Sequence, residues 1–146
     1  MTENDDPLFW KPGEDREMTA AIESAQANFD SLLGALRSDL NIEEAFVKLM
    51  LPGKFHGVVA EHVYVSDLTL EGDTLFGVID SDIMYTDEFD CGDRVPINRD
   101  CISDWMYVVD GIGTGGYTLQ LMWSQFSDEE RGEYKSEPPF CWLEIA

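Results

Sequence analysis

The fold is decided by the segment Ile102-Ser103-Asp104-Trp105-Met106-Tyr107-Val108, which is followed by Gly115-Gly116-Tyr117-Thr118. Asp110-Gly111, between the two parts, is a typical turn sequence, and large apolar side chains flank it on both sides. We therefore predict a hairpin with strands at 105–109 and 117–123. The glycines between them would permit positive φ angles and a close approach of the Trp105 ring. A phosphate cradle would instead need a helix to begin after the glycines.

Aromatic side chains concentrate in this predicted hairpin. Trp105, Tyr107 and Tyr117 would lie near one another, and such clusters are commonly part of a core. The alternative is a platform that binds a ligand or a peptide. Ser103 and Asp104 directly precede the strand, where their side chains most simply bond to the backbone of a turn or bulge.

The chain around this hairpin changes from a helical period to a strand period. At 15–36, apolar residues recur at steps of three and four, which predicts an amphipathic helix with one face in the core. Ser127 and Glu130 form a capping box that should open a short helix at 128–135. Between these helices the apolar period is two, and we predict strands at 45–51, 74–79 and 94–97 and either one long strand or a bent pair of strands at 58–70.

The order of these segments is helix, strands and then helix, which favours an α+β fold over a parallel doubly wound sheet. We expect the N-terminal amphipathic helix to pack on a curved, mainly antiparallel sheet of about five or six strands, which could curl into a partly open barrel. A short C-terminal helix completes the fold. Residues 1–14 are predicted to form a flexible acidic arm and residues 15–146 a single domain.

Charge is the unusual feature of the composition. The sequence has 30 Asp and Glu against 9 Lys and Arg, so its formal net charge is −21. Such a field repels nucleic-acid phosphates and anionic lipids and attracts basic surfaces. We therefore predict no nucleic-acid and no membrane partner. The acidity is either an ordinary solvated surface or a surface that binds a basic protein.

The cysteines and the N-terminal sequence favour the cytoplasm. Cys91, Cys101 and Cys141 are odd in number, and their spacing matches neither a disulfide framework nor a zinc site. The first residues are acidic and lack the apolar core of a signal peptide. No apolar run approaches the roughly 18 residues of a membrane span.

Several short motifs together resemble a known family. They are Glu61-His62-Val63-Tyr64-Val65, Gly92-Asp93-Arg94-Val95 and the two parts of the 102–118 segment. Their order and spacing are similar to the bacterial family called domain of unknown function 2314. The resemblance implies a small bacterial domain, found alone or fused to other modules, and it brings no reaction and no cofactor. Gln120 stands where many members have an arginine, which argues against an anion site beside the signature.

The candidate site residues have binding rather than catalytic roles. Ser103, His62 and Asp104 are the residue types of a hydrolase triad, but the sequence lacks the motif that presents a nucleophilic serine. Glu61 and His62 alternate along a strand, so one should face inward and the other outward. His62 is then either a buried, hydrogen-bonded histidine near Trp105 or a surface histidine beside an acid, which would raise its pKa. We predict no catalytic residue, metal or cofactor. The predicted binding residues are Glu61, His62, Asp104, Trp105, Tyr107 and Tyr117.

Two functions are compatible with these features. The first is a non-enzymatic cytoplasmic interaction module with a strongly acidic surface, which masks a basic partner protein as an immunity-type or regulatory protein would. The alternative is a small enzyme or ligand-binding protein with a pocket near Glu61, His62, Asp104 and Trp105. A concave pocket with converging polar groups would favour the alternative, whereas a flat or convex acidic patch would favour the first. A third alternative is homodimerisation through the exposed edge near Pro96, and the sequence leaves the oligomeric state open.

Overall fold

A computed structural model describes residues 16–52, 60–81 and 89–143. Within these ranges the chain forms four α-helices and a six-stranded antiparallel sheet with the strand order β4-β3-β2-β1-β5-β6. The architecture is α+β, as predicted, and the sheet is not closed, because β4 and β6 form its two edges. The predicted arm at 1–14 lies outside the described residues. The elements are α1 Arg16–Ala27, α2 Phe29–Arg37, β1 Glu44–Pro52, β2 Ala60–Glu71, β3 Thr74–Ile79, β4 Arg94–Pro96, β5 Ile102–Val109, β6 Ile112–Gly115, α3 Tyr117–Gln125 and α4 Asp128–Tyr134.

The predicted N-terminal helix is divided into α1 and α2 at Asn28. The Asn28 side chain donates to the Ser24 carbonyl at 2.9 Å, so it competes with the regular helical ladder. The amphipathic pattern is nevertheless confirmed, since the buried residues of both helices follow a single stripe. These residues are Ile22, Ala25, Phe29, Leu32 and Ala35.

Both faces of the sheet are covered. One face packs against α1 and α2 through side chains that include Val47, Val63 and Trp105. The other face packs against α3 and the C-terminal segment through Met106, Val108, Leu119, Phe140 and Leu143. The C-terminal tail therefore packs back onto the domain. None of the described helices is long and apolar enough to cross a membrane.

The predicted strand at 117–123 is wrong. The partner of β5 in the last hairpin is the short strand β6, and α3 begins at Tyr117. Gly116 makes this change of direction possible, because its φ angle of +71° lies in the left-handed region. The second predicted helix is confirmed as α4, and both hydrogen bonds of the capping box between Ser127 and Glu130 are present.

A β-bulge in β5 determines which way its polar residues face. Lys48 of β1 pairs with Asp104, whereas the next residue, Leu49, pairs with Ile102, so Ser103 is the extra residue. Ile102 and Trp105 consequently reach the same core although they are three positions apart. The bulge turns Ser103 and Asp104 towards the opposite face of the sheet, and this confirms the turn or bulge predicted for the pair.

Candidate functional site

A buried polar cluster lies between the sheet and the start of α3. The relative exposure of its side chains is low: 4% for Lys48, 8% for His62, 0% for Ser103 and 1% for both Asp104 and Thr118. Charged groups are costly to bury unless they are paired and hydrogen-bonded. Specific hydrogen bonds and charge contacts must therefore hold these five residues and the adjacent Tyr64 in place.

Asp104 caps helix α3 from a neighbouring strand. Its carboxylate accepts hydrogen bonds from the backbone N–H groups of Tyr117 and Thr118, each at 2.9 Å, and from Leu119 at 3.4 Å. These are first-turn donors that have no partner within a helix. The helix start required by a phosphate cradle therefore exists, but a carboxylate of the same chain occupies it.

Lys48 is linked to Asp104 through a hydroxyl group. Its Nζ donates to Thr118 Oγ1 at 3.1 Å, and that hydroxyl donates to Asp104 Oδ2 at 2.5 Å. Burial lowers the pKa of Lys48, and the negative charge of Asp104 opposes this shift. Nζ also lies 5.8 Å from the ring centre of Tyr64, whose pKa is raised to about 12 by burial and by Asp104.

His62 pairs with Ser103. The two side chains are 3.1 Å apart, and the Ser103 hydroxyl donates to the Lys48 carbonyl at 3.2 Å. His62 Nδ1 is then the donor to Ser103, which leaves Nε2 as an acceptor. Nε2 is buried and has no hydrogen-bond partner among the described residues.

His62 takes the buried one of its two predicted positions, although Trp105 lies on the opposite face of the sheet. Burial and the positive charge of Lys48 lower its pKa to about 3, whereas a surface position beside a carboxylate would raise it. Glu61 is also buried, at 4% exposure. The two residues do lie on opposite faces, but both faces of this sheet are covered.

The buried neutral His62 should make stability fall with decreasing pH. The unfolded chain takes up a proton near the usual pKa of His, while the folded chain does not until about pH 3. Between pH 6.5 and 5, this difference should lower the free energy of unfolding by about 1.5 kcal/mol. Urea unfolding at each pH measures it.

His62→Asn is the matched control, because an amide nitrogen can replace Nδ1 as the donor to Ser103 without titrating. The difference in stability between the parent and this variant should shrink or change sign as the pH falls. Parallel stability curves for the two proteins would show that His62 is not held neutral.

The hydrolase arrangement is only partly formed. His62 contacts Ser103, but the carboxylate of Asp104 is directed to the N–H groups of α3 and to Thr118. No described residue therefore orients the imidazole as the third member of a triad does.

The predicted aromatic cluster is present, on the opposite face from the buried polar cluster. The Trp105 ring centre lies 6.2 Å from that of Tyr107 and 5.8 Å from that of Tyr117. Trp105 has 0% exposure, and its indole N–H donates to the Ala25 carbonyl at 2.8 Å. The ring holds α1 on the sheet and presents no surface to a ligand.

The structure thus separates the predicted site residues into two groups. His62 and Asp104 meet in the buried polar cluster, while Glu61 and the three aromatic residues belong to the α1 face. Lys48 and Thr118 are not among the predicted site residues. Lys48 could have been found from the sequence, because it is a lysine between apolar neighbours in Phe46-Val47-Lys48-Leu49-Met50.

Two adjoining grooves open at the surface near the start of β1. The first has a volume of about 320 Å³, and Phe46, Tyr64 and Trp142 line it together with two prolines. The second has a volume of about 440 Å³ and is lined largely by acidic and aliphatic residues. Four residues line both grooves, which makes them one continuous depression: Glu44, Ala45, Ser66 and Asp80.

The depression is acidic at one end. Glu43, Glu44, Asp67 and Asp80 line the second groove, and no described lysine or arginine lines either groove. Glu43 accepts hydrogen bonds from the N–H groups of Asp110 and Gly111, which fixes it against the β5–β6 turn. Among the described residues, those of the depression included, no three His, Cys, Asp or Glu side chains converge as ligands of a metal ion.

Comparisons with known proteins show relatives over about half of the chain. A Neisseria meningitidis serogroup B protein named as an ankyrin repeat protein is 36% identical over 78 residues, which are 53% of this chain and 31% of that protein. The uncharacterised protein YegJ of Escherichia coli K12 is 30% identical over 77 residues, 53% of this chain and 50% of YegJ. No solved structure matches significantly. Residues 15–140 match a family described as an uncharacterised protein conserved in bacteria, so the chain belongs to the family domain of unknown function 2314.

Proposed function

We propose that this chain is a non-enzymatic interaction module of the cytoplasm, which binds a basic segment of a partner protein in the depression at the start of β1. The observation that carries the proposal is that an aromatic groove and an acidic groove share Glu44, Ser66 and Asp80. A segment with one large apolar side chain beside lysine or arginine would fit both ends at once.

The apolar end supplies an anchor site. Tyr64 and Phe46 pack edge to face at 5.3 Å, and Trp142 lines the same groove. Aromatic side chains that line a concave surface are typical of the central, strongly contributing part of an interface. An aliphatic or aromatic side chain of the partner would be desolvated there.

The acidic end of the depression would select basic segments and speed their association. Ser66 donates to Asp80 Oδ2 at 3.3 Å, while Glu44 and Asp67 are exposed to solvent. With a net charge of −21, the whole chain would steer a basic partner towards itself, and the depression would select the bound segment. The three free cysteines suit a reducing compartment such as the cytoplasm.

The buried polar cluster supports this proposal over an enzyme. Neither groove is lined by Glu61, His62, Asp104 or Trp105, which is where the alternative function places its pocket. Within the cluster, the Asp104 carboxylate bonds to the first turn of α3 in the same chain. We infer that masking of a basic segment, in the manner of an immunity-type or regulatory protein, is the function.

Selection of displayed twelve-residue peptides on the immobilised protein tests the proposal. We expect enrichment of sequences with lysine or arginine next to a phenylalanine, tryptophan or leucine. The triple variant Glu44→Gln, Asp67→Asn, Asp80→Asn should weaken binding of the selected peptides at least tenfold, as measured by fluorescence anisotropy. Affinity should also fall as the salt concentration rises.

The matched control removes the same charge from other exposed positions, by Glu23→Gln, Glu129→Gln and Glu133→Gln. It should change the affinity less than twofold. Equal losses in both triple variants would mean that the peptides respond only to net charge, which would exclude the depression as the binding site.

A further inference from the structure

The two edges of the sheet differ in how they are protected. The edge strand β4 has three residues, and Arg94 and Pro96 are among them. Charged residues and proline at an edge block pairing with another chain. The other edge strand, β6, consists of Ile112, Gly113, Thr114 and Gly115, and it contains neither.

The hydrogen-bonding groups of β6 alternate in direction, and the register identifies those that face outward. The Val108 carbonyl accepts from the Glu43 N–H at 2.8 Å, so Val108 bonds towards β1 and not towards β6. Its partner Gly113 must therefore direct its own N–H and C=O away from β5, and so must Gly115. Among the described residues, nothing bonds to the outward groups of Gly113, whereas Gln120 Nε2 donates to the Gly115 carbonyl at 2.9 Å.

The edge strand β6 and the chain that follows it contain no charged residue. Residues 111–126 contain no Asp, Glu, Lys or Arg, although the whole chain has a net charge of −21. Ile112 is 49% exposed, which is unusual for a large apolar side chain of the described residues. An uncharged edge with an exposed isoleucine is the part of this surface that a second acidic molecule can approach at the lowest electrostatic cost.

We propose that β6 pairs with β6 of a second copy of this chain, and that the resulting dimer has a continuous twelve-stranded sheet. The pairing is antiparallel about a two-fold axis at Gly113, so each Gly113 exchanges two hydrogen bonds with its counterpart. In this register the Ile112 side chain lies opposite the Thr114 side chain of the second copy, and each covers the other from solvent.

The same register keeps the carboxylates at the β5–β6 turn, those of Asp110 and Glu43, away from their counterparts in the second copy. Asp110 falls opposite Gly116 of the second copy, so the two Asp110 residues lie roughly 20 Å from each other along the strands. In this register the Gly115 carbonyl lies opposite the Gly111 N–H of the second copy, and both groups already have partners within their own chains. The pairing therefore depends on the Gly113 groups and on the Gly115 N–H, which donates to the Gly111 carbonyl of the second copy.

The dimer should be weak and should strengthen with salt. A pair of four-residue strands buries far less than the roughly 1,200 Å² of a stable specific interface, so we expect a dissociation constant on the order of 100 μM. Salt screens the repulsion between two molecules of charge −21, and dimerisation should increase with it. Binding of a basic segment in the depression has the opposite salt dependence, so the two proposals can be distinguished.

Sedimentation velocity over about 20 μM to 1 mM protein, in low and high salt, tests the proposal. Ile112→Asp should keep the chain monomeric over the whole range. Thr74→Asp is the matched control, because Thr74 is an exposed residue of β3 and receives the same charge on a strand that three other strands separate from β6. This variant should dimerise like the parent protein.

Amide hydrogen exchange locates the interface. The Gly113 and Gly115 amides should become at least tenfold more protected between dilute and concentrated parent protein, whereas Arg94 on the other edge should not change. A chain that stays monomeric at 1 mM in high salt would refute the proposal, and so would a dimer that persists in Ile112→Asp. Protection of Gly113 only upon addition of an extended peptide would also refute it, since the occupant would then be a foreign strand.

Discussion

Replacing Asp104 with asparagine is expected to lower the free energy of unfolding by about 3–5 kcal/mol, the range found when one partner of a buried charge pair is removed. The carboxylate has 1% exposure and accepts five hydrogen bonds, four from backbone N–H groups and one from Thr118. An amide of the same shape keeps one acceptor oxygen and places N–H groups against other donors. Urea unfolding measures the loss, and far-ultraviolet circular dichroism shows whether α3 still forms.

Most of this cost should come from Lys48, whose buried ammonium group loses the negative charge that opposes its desolvation. Lys48→Met keeps the length of the side chain and removes its charge. Alone, Lys48→Met should lower the free energy of unfolding by less than Asp104→Asn does, because the Asp104 carboxylate keeps all five of its hydrogen bonds. Combined, the two substitutions should cost about 1–3 kcal/mol less than the sum of their separate effects.

This double-mutant cycle separates two roles of Asp104. If the effects of Asp104→Asn and Lys48→Met add within about 0.5 kcal/mol, the residues are not coupled and Asp104 acts only as a helix cap. If they couple, the buried polar cluster is a single unit that joins β1, β5 and α3. The second outcome is expected from the hydrogen-bonded path through Thr118.

The fold could be predicted from the sequence wherever its determinants are local. The stripe of apolar residues in α1 and α2, the period-two strands and the capping box between Ser127 and Glu130 each depend on neighbours a few positions away. Helix α3 could not be predicted in this way. Helices usually begin after Ser, Thr, Asp or Asn, but the residue before Tyr117 is Gly116, which has no side chain to cap with. The cap is Asp104, which lies 13 positions before Tyr117 on another element.

The candidate sites illustrate the same distinction. The pairing of His62 with Ser103, and that of Lys48 with Thr118, join residues 41 and 70 positions apart, so only the completed sheet brings them together. The depression requires the start of β1, the middle of β2, Asp80 after β3 and the C-terminal prolines. What the sequence did establish there is the excess of acidic residues, because net charge does not depend on the fold.

Gly115 is the position where a single methyl group should have the largest local effect. Its φ angle is +98°, a region that side-chain-bearing residues rarely adopt. A Cβ atom there would lie 2.7 Å from Cε3 of the Trp105 ring and still closer to the Trp105 carbonyl oxygen. The closeness of this glycine to the Trp105 ring confirms the sequence prediction, and neither neighbour can move, because the ring is fully buried and the carbonyl accepts from the Gly116 N–H at 2.7 Å.

Gly115→Ala should therefore cost about 3–5 kcal/mol, the sum of backbone strain and overpacking of the core, or prevent folding altogether. Gly111→Ala is the matched control, because Gly111 also has a positive φ angle, of +77°, but a Cβ atom there meets nothing within 4 Å. Strain alone should cost that variant about 1 kcal/mol. Urea unfolding of both variants measures the difference. Losses of similar size would mean that the approach of Gly115 to Trp105 is looser than the geometry indicates, and that the glycine is needed only for its backbone conformation.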